Sequence, residues 1–164
     1  MMTPATIIDD EILIIENGGE MPEVTFHGCL YYLGMDPDGP QFALGHQEIN
    51  RLKLAVVEGY RKIIVRDLTP ENRGKGHYRG PARSIVNLQR LRRFCQREEL
   101  DATSVVAEVC ERLQNFIVVE YADVSTERRK TCINCSVADL EKLFVQIGFD
   151  SSGLPAGWQG IVLP

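Results

Sequence analysis

The sequence predicts an α+β fold, mostly helical, with about four helices, an N-terminal β-hairpin and a second hairpin near residues 116–134. Three observations lead there. Apolar residues recur every three or four positions from Gln47 to Leu68, the repeat of an amphipathic helix. Two stretches rich in β-branched and aromatic residues, Ile12–Glu16 and Glu23–Leu33, flank the turn signal Asn17-Gly18-Gly19. A second β-branched run, from Phe116 to Val124, leads into the polar stretch Ser125–Lys130 and then Thr131–Asn134.

In order along the chain, Ile12–Glu16 and Glu23–Leu33 read as an antiparallel pair, ended by Asp36-Pro37-Asp38-Gly39-Pro40. Proline cannot donate to a strand ladder, and glycine accepts positive φ. The helix from Gln47 presents Ile49, Leu52, Val56, Tyr60 and Ile63 on one face and stops at Thr69-Pro70, since a residue before proline avoids the helical region. Residues 70–80 form a loop with three glycines. Pro81 opens the next helix, where its missing N–H costs nothing, and that helix runs to about Glu98. Asp101 caps a third, from Ala102 to about Leu113. The fourth, Val137–Ile147, follows Ser136 and ends at Gly148. The whole, residues 1–164, reads as a single domain, with 1–40 as a small β lobe packed on the helical body.

Composition bounds the function. A chain of 164 residues can bury a hydrophobic core without disulfides or a structural metal. With 44% hydrophobic and 25% charged residues, it has the composition of a folded domain rather than a disordered one. Its longest apolar runs fall far short of the roughly 20 residues that cross a bilayer. Met1-Met2-Thr3-Pro4 lacks the basic start of a secretory signal. The expected setting is the cytoplasm, with no membrane partner. There the five cysteines stand as thiols or metal ligands rather than a disulfide framework.

The net charge of −5 conceals a segregation. From Tyr60 to Arg97 there are eleven Lys or Arg against two acids, Asp67 and Glu71. On a helical wheel with Arg83 at zero, Arg90, Arg97 and Arg93 fall within about 80° on one side. Ile85, Leu88, Leu91 and Cys95 lie between about 80° and 200°. The preceding loop adds Arg73, Lys75, His77 and Arg79, with Tyr78 able to stack on a base. Arginine forks match phosphate oxygens, and glycines let a phosphate approach the backbone. Arg73, Lys75, His77, Tyr78, Arg79, Arg83, Arg90, Arg93 and Arg97 are therefore the candidate site. Its ligand is expected to bear phosphate, with nucleic acid the leading candidate. Against this stands a bland alternative, in which the arginines form a solvated face or pair with the 21 other carboxylates.

Two other classes of function stay open. The basic face could meet an acidic surface on a partner or on a second copy, head to tail, giving a homo-oligomer. Alternatively, the chain is an enzyme with His77 as acid or base. No GxGxxG, Gly-x-Ser-x-Gly, HExxH or Walker pattern argues for that, so the balance is against an enzyme. A winged-helix reading, with helix 102–113 as the recognition helix, is disfavoured by Glu108 and Glu111. Cys132 and Cys135 have the CxxC spacing that suits one zinc ion, but no second pair completes four ligands. No cofactor other than that zinc is implied.

Overall fold

The computed structural model describes residues 4–17, 19, 21–33, 45–72, 74–122, 133–154, 156 and 162–163. Among them are six α-helices: α1 (Pro4–Asn17), α2 (Pro22–Leu33), α3 (His46–Asp67), α4 (Pro81–Arg97), α5 (Thr103–Ala122) and α6 (Val137–Ile147). Two short strands, β1 (Ile133–Ser136) and β2 (Val162–Leu163), pair in parallel with an irregular register. The described residues contain no hairpin. The fold is helical, and the predicted α+β class is corrected.

Both hairpin expectations fail for the same reason. In α1 the β-branched run Ile12–Ile15 buries only Ile15 fully, with Ile12 and Glu11 half-buried on the preceding turn. That is one helical face, not the alternation of a strand. In α2, Pro22, Phe26 and Cys29 are buried at spacings of four and three, and Pro22 occupies the helix start where proline fits. The predicted β lobe over 1–40 is thus helical wherever it is described; residues 34–44 lie outside the described residues. Near the second predicted hairpin, Val109, Leu113 and Phe116 continue one buried face. The helix expected to end near Leu113 therefore runs to Ala122. The predicted turn at 125–130 lies outside the described residues, and Ile133–Ser136 pairs with Val162–Leu163 instead. Strand propensity describes a fit to a half-buried pleated surface, and burial along a helical face overrides it.

The chain divides into two compact units. One comprises Met1–Ile63 with Leu91–Leu100, the other Ile64–Arg90 with Asp101–Pro164. In the first, Ile15, Phe26, Leu52, Val56, Tyr60, Leu91 and Phe94 are buried, and Phe26 meets Phe94 edge to face at 6.1 Å. Gly59 lies where α3 passes the end of α1 and the start of α2. A Cβ there would stand 3.0 Å from the Ile15 carbonyl and 3.0 Å from Pro22, so a side chain would fit only if these neighbours gave way, and glycine lets the backbones approach. In the second unit, Ile64, Leu68, Ile85, Leu88, Val109, Leu113, Phe116 and Phe144 are buried. Three polar side chains, Asp67, Ser84 and Asn87, are buried with them.

Candidate functional site

The predicted basic loop joins α3 to α4, and the structure shows what holds it. Asp67, the last residue of α3, is fully buried. Its carboxylate takes two hydrogen bonds from the neighbouring Arg66, Nε to Oδ1 and Nη2 to Oδ2, each 3.1 Å. Oδ1 also accepts the backbone N–H of Arg79 at 2.9 Å. One carboxylate at the start of the loop therefore ties down its far end, twelve residues on. A buried charge is tolerated only when paired and hydrogen-bonded, and Asp67 is both.

The rest of the loop is wound on local bonds. The Thr69 hydroxyl donates to the Val65 carbonyl at 2.7 Å, and the Asn72 amide donates to the Arg66 carbonyl at 3.1 Å. Backbone turns follow from Lys75 N–H to Asn72 O and from Tyr78 N–H to Lys75 O, both 3.0 Å. Gly80 is buried with φ of +85°, a conformation that non-glycine residues rarely take. From α4, the buried Ser84 hydroxyl donates to the Ile64 carbonyl at 3.0 Å, fastening the two helix ends that carry the loop. The Asn87 carbonyl oxygen accepts from Arg90 Nη1 at 3.4 Å, while its buried amide nitrogen has no partner among the described residues.

On this base the cations face outward. Lys75, His77 and Arg79 are exposed, while Tyr78 and Arg83 are half-buried. Among the described residues, Lys75 Nζ reaches only the Asn72 side-chain oxygen at 3.3 Å, and Arg79 Nη1 only the Gly76 carbonyl at 3.3 Å. Among the described residues, Lys75, Arg79 and Arg83 form no ion pair. The N–H groups of Arg83 and Ser84 both go to the Gly80 carbonyl, and Pro81 has none. These N–H groups of the first turn are thus already taken up within the fold.

The nine predicted site residues therefore separate. Lys75, His77, Tyr78, Arg79 and Arg83 share the loop and the first turn of α4, with Arg90 two turns further along. Arg73 lies outside the described residues. Arg93 and Arg97 belong to the other unit. Arg93 is exposed. Arg97 is engaged: it pairs with Glu23 and, at 3.4 Å, with Glu98, and its guanidinium lies 5.5 Å from the Phe94 ring centre. Its guanidinium is thus already paired within the fold. Asp67 and Ser84, which anchor the loop, are not among the predicted site residues. The signal for the first was an acid at the boundary between helix and loop in an otherwise basic stretch.

The other candidates gain less. His77 has no hydrogen-bond partner among the described residues. Cys132 lies outside the described residues, and the CxxC pair cannot be placed. Among the described residues no cluster of three or more His, Cys, Asp or Glu could hold a metal ion. The Cys29 thiol is pushed up to about 12, first by burial and then by a hydrogen bond to the Glu11 carboxylate and its charge. It is the reverse of an activated nucleophile. Among the described residues no helix is long and apolar enough to cross a membrane.

Comparison with known families adds a family without an activity. The profile of a family described as a repeat of unknown function, DUF7826, matches residues 3–149. The chain belongs to DUF7826. The match spans α1 to α6, so the Asp67-anchored loop lies within the DUF7826 unit rather than in an appendage. No curated protein and no solved structure matches the chain.

Proposed function

We propose that the chain is a binding protein that holds a phosphate-bearing ligand, nucleic acid foremost, on Lys75, Arg79 and Arg83. One observation carries the reading. Lys75 and Arg79 sit on a loop fixed from beneath by Asp67 and Arg83 on the first turn of the helix that follows it, with no carboxylate of the described residues paired to them. A cation already paired within the fold would have to give up its partner to bind phosphate. These do not, and the fixed loop reduces the ordering cost of binding. His77 and Tyr78 add contact on the same loop. The mechanism is electrostatic docking with release of condensed counterions, so affinity falls as salt rises.

The test is fluorescence anisotropy with labelled single- and double-stranded oligonucleotides across a salt series. Binding should weaken with salt, and Lys75→Glu/Arg79→Glu should lower affinity at least tenfold at low salt. No binding at low salt, or a double variant that binds as well as the parent, sinks the reading.

A further inference from the structure

A second surface lies in the other unit. Leu13 and Ile14 on α1 and Val24 and Tyr31 on α2 are all exposed, Tyr31 by 74% and Val24 by 60%. On helical wheels, Leu13 lies about 160° from buried Ile15, and Val24 and Tyr31 lie about 160° and 140° from buried Phe26. All three therefore sit on the outward faces of their helices. Ile14 turns to an open groove of about 430 Å³, lined also by Glu11, Thr25, Gly28 and Cys29. At Gly28 a Cβ would meet nothing within 4 Å, so that wall is bare backbone. Scattered single apolar residues on a surface need no explanation; four on two adjacent helices beside a groove do.

The charge around this surface says what fits it. Residues 1–50 contain nine Asp or Glu and no Lys or Arg; Asp9, Glu16 and Glu23 are paired with Arg51, Lys62 and Arg97, so among the described residues Asp10 and Glu11 are the acids that set the charge of this face. Asp10 is exposed on the outer side of α1, and Glu11 stands at the groove. Pairing this face with itself about a two-fold axis would set these acids against their own copies, which is costly. Its complement is an apolar side chain set among cations, and the chain carries one. Val86 on α4 is 37% exposed. Arg83 lies three residues before it and Arg90 four after, neighbours on one helix face. The family is moreover described as a repeat, and repeat units stack on others of their kind through unlike faces.

We propose that the α1–α2 face docks the Val86 face of α4 from a second copy of this chain, in a head-to-tail contact. Such a contact does not close on itself, so association proceeds beyond two chains unless a rotation closes a ring. The inference does not depend on phosphate binding, although Arg83 is common to both surfaces.

Sedimentation velocity across a wide concentration range, at low and high salt, tests it. The parent's mass should rise with concentration beyond two chains and fall with salt. Val24→Ser/Tyr31→Ser loses one face and Val86→Glu loses the other, so each alone should remain monomeric with unchanged circular dichroism. Mixed, they keep one compatible pair of faces and should give a two-chain species and nothing larger. The inference is overturned by a parent that stays monomeric throughout, by variants that associate as the parent does, or by a mixture that forms no pair. Oligonucleotide anisotropy on Val24→Ser/Tyr31→Ser, which touches no residue of the phosphate site, separates the readings, because loss of association with retained binding leaves that site standing.

Discussion

The loop ahead of α4 and the far end of α4 are both basic in sequence, and the structure treats them in opposite ways. At the loop the principal carboxylate, Asp67, is fully buried and spent on Arg66 and a backbone N–H. The cations above it have no carboxylate partner among the described residues. At the far end the carboxylates reach the surface. Glu98 pairs with Lys53 at 3.0 Å and Arg97 at 3.4 Å, and Arg97 also holds Glu23. Charge counted along a sequence gives the supply of cations. Where the carboxylates point decides how many remain for a ligand.

The largest expected effect comes from Asp67→Ala. It leaves the Arg79 N–H without its partner and Arg66 without its counter-charge. Breaking a fully buried pair from one side costs about 3–5 kcal/mol; with Arg66 only half-buried the cost here is about 2–3 kcal/mol. Urea denaturation should show that loss, and phosphate binding should fall with it because the loop is no longer held. A stable variant that still binds would mean the loop does not depend on its anchor.

Next is the contrast in binding between the two ends. Lys75→Glu/Arg79→Glu should reduce the salt dependence of oligonucleotide binding by about 2 in log–log slope, roughly one per lost phosphate contact. Arg97→Ala should leave that slope unchanged. It should instead cost about 1 kcal/mol of stability, from a surface ion pair and a ring contact. Equal effects of the two on binding would erase the distinction drawn between the ends.

A third prediction concerns the turn that closes α4. Glu99 has φ of +56°, and Leu100 N–H reaches back to the Cys95 carbonyl at 2.8 Å. This is the helix ending that favours glycine. Glu99→Gly should raise stability by about 1 kcal/mol, the usual steric cost of this conformation for a side chain. A change of sign would mean that the Glu99 side chain makes a contact worth more than the strain.

The sequence showed some of this and hid the rest for definite reasons. The helices through Leu52, Val56 and Tyr60, through Leu88 and Leu91, and through Phe144 announced themselves by spacing, and the structure has them at those places. α1 and α2 did not, because Ile12–Glu16 and Glu23–Leu33 have the composition of strands. Their helical face is visible only once Ile15, Phe26 and Cys29 are known to be buried. The basic loop was legible as composition. Its anchor was not, since nothing in a sequence says that Asp67 turns inward to reach an N–H twelve residues away. Likewise, Arg97 and Arg83 look alike on a wheel, yet Glu23, distant in sequence, claims only Arg97.

The smallest expected effect is a pH dependence confined to the far end of α4. A hydrogen bond from Lys53 first, then its charge, then Arg97 hold the Glu98 carboxyl below its usual range. A carboxyl depressed on folding contributes stability that is complete above its unfolded pKa of about 4.5. That contribution is lost as pH falls through the lower folded value. Glu98→Gln should therefore remove part of the stability at neutral pH, a few tenths to about 1 kcal/mol for pairs at the surface. The gap between parent and variant should narrow as the solution is acidified below that range. Urea midpoints at neutral pH and in acid would show it. A constant gap would mean that Glu98 acts through packing rather than charge, and the far end would then not be the place where the cations are neutralised.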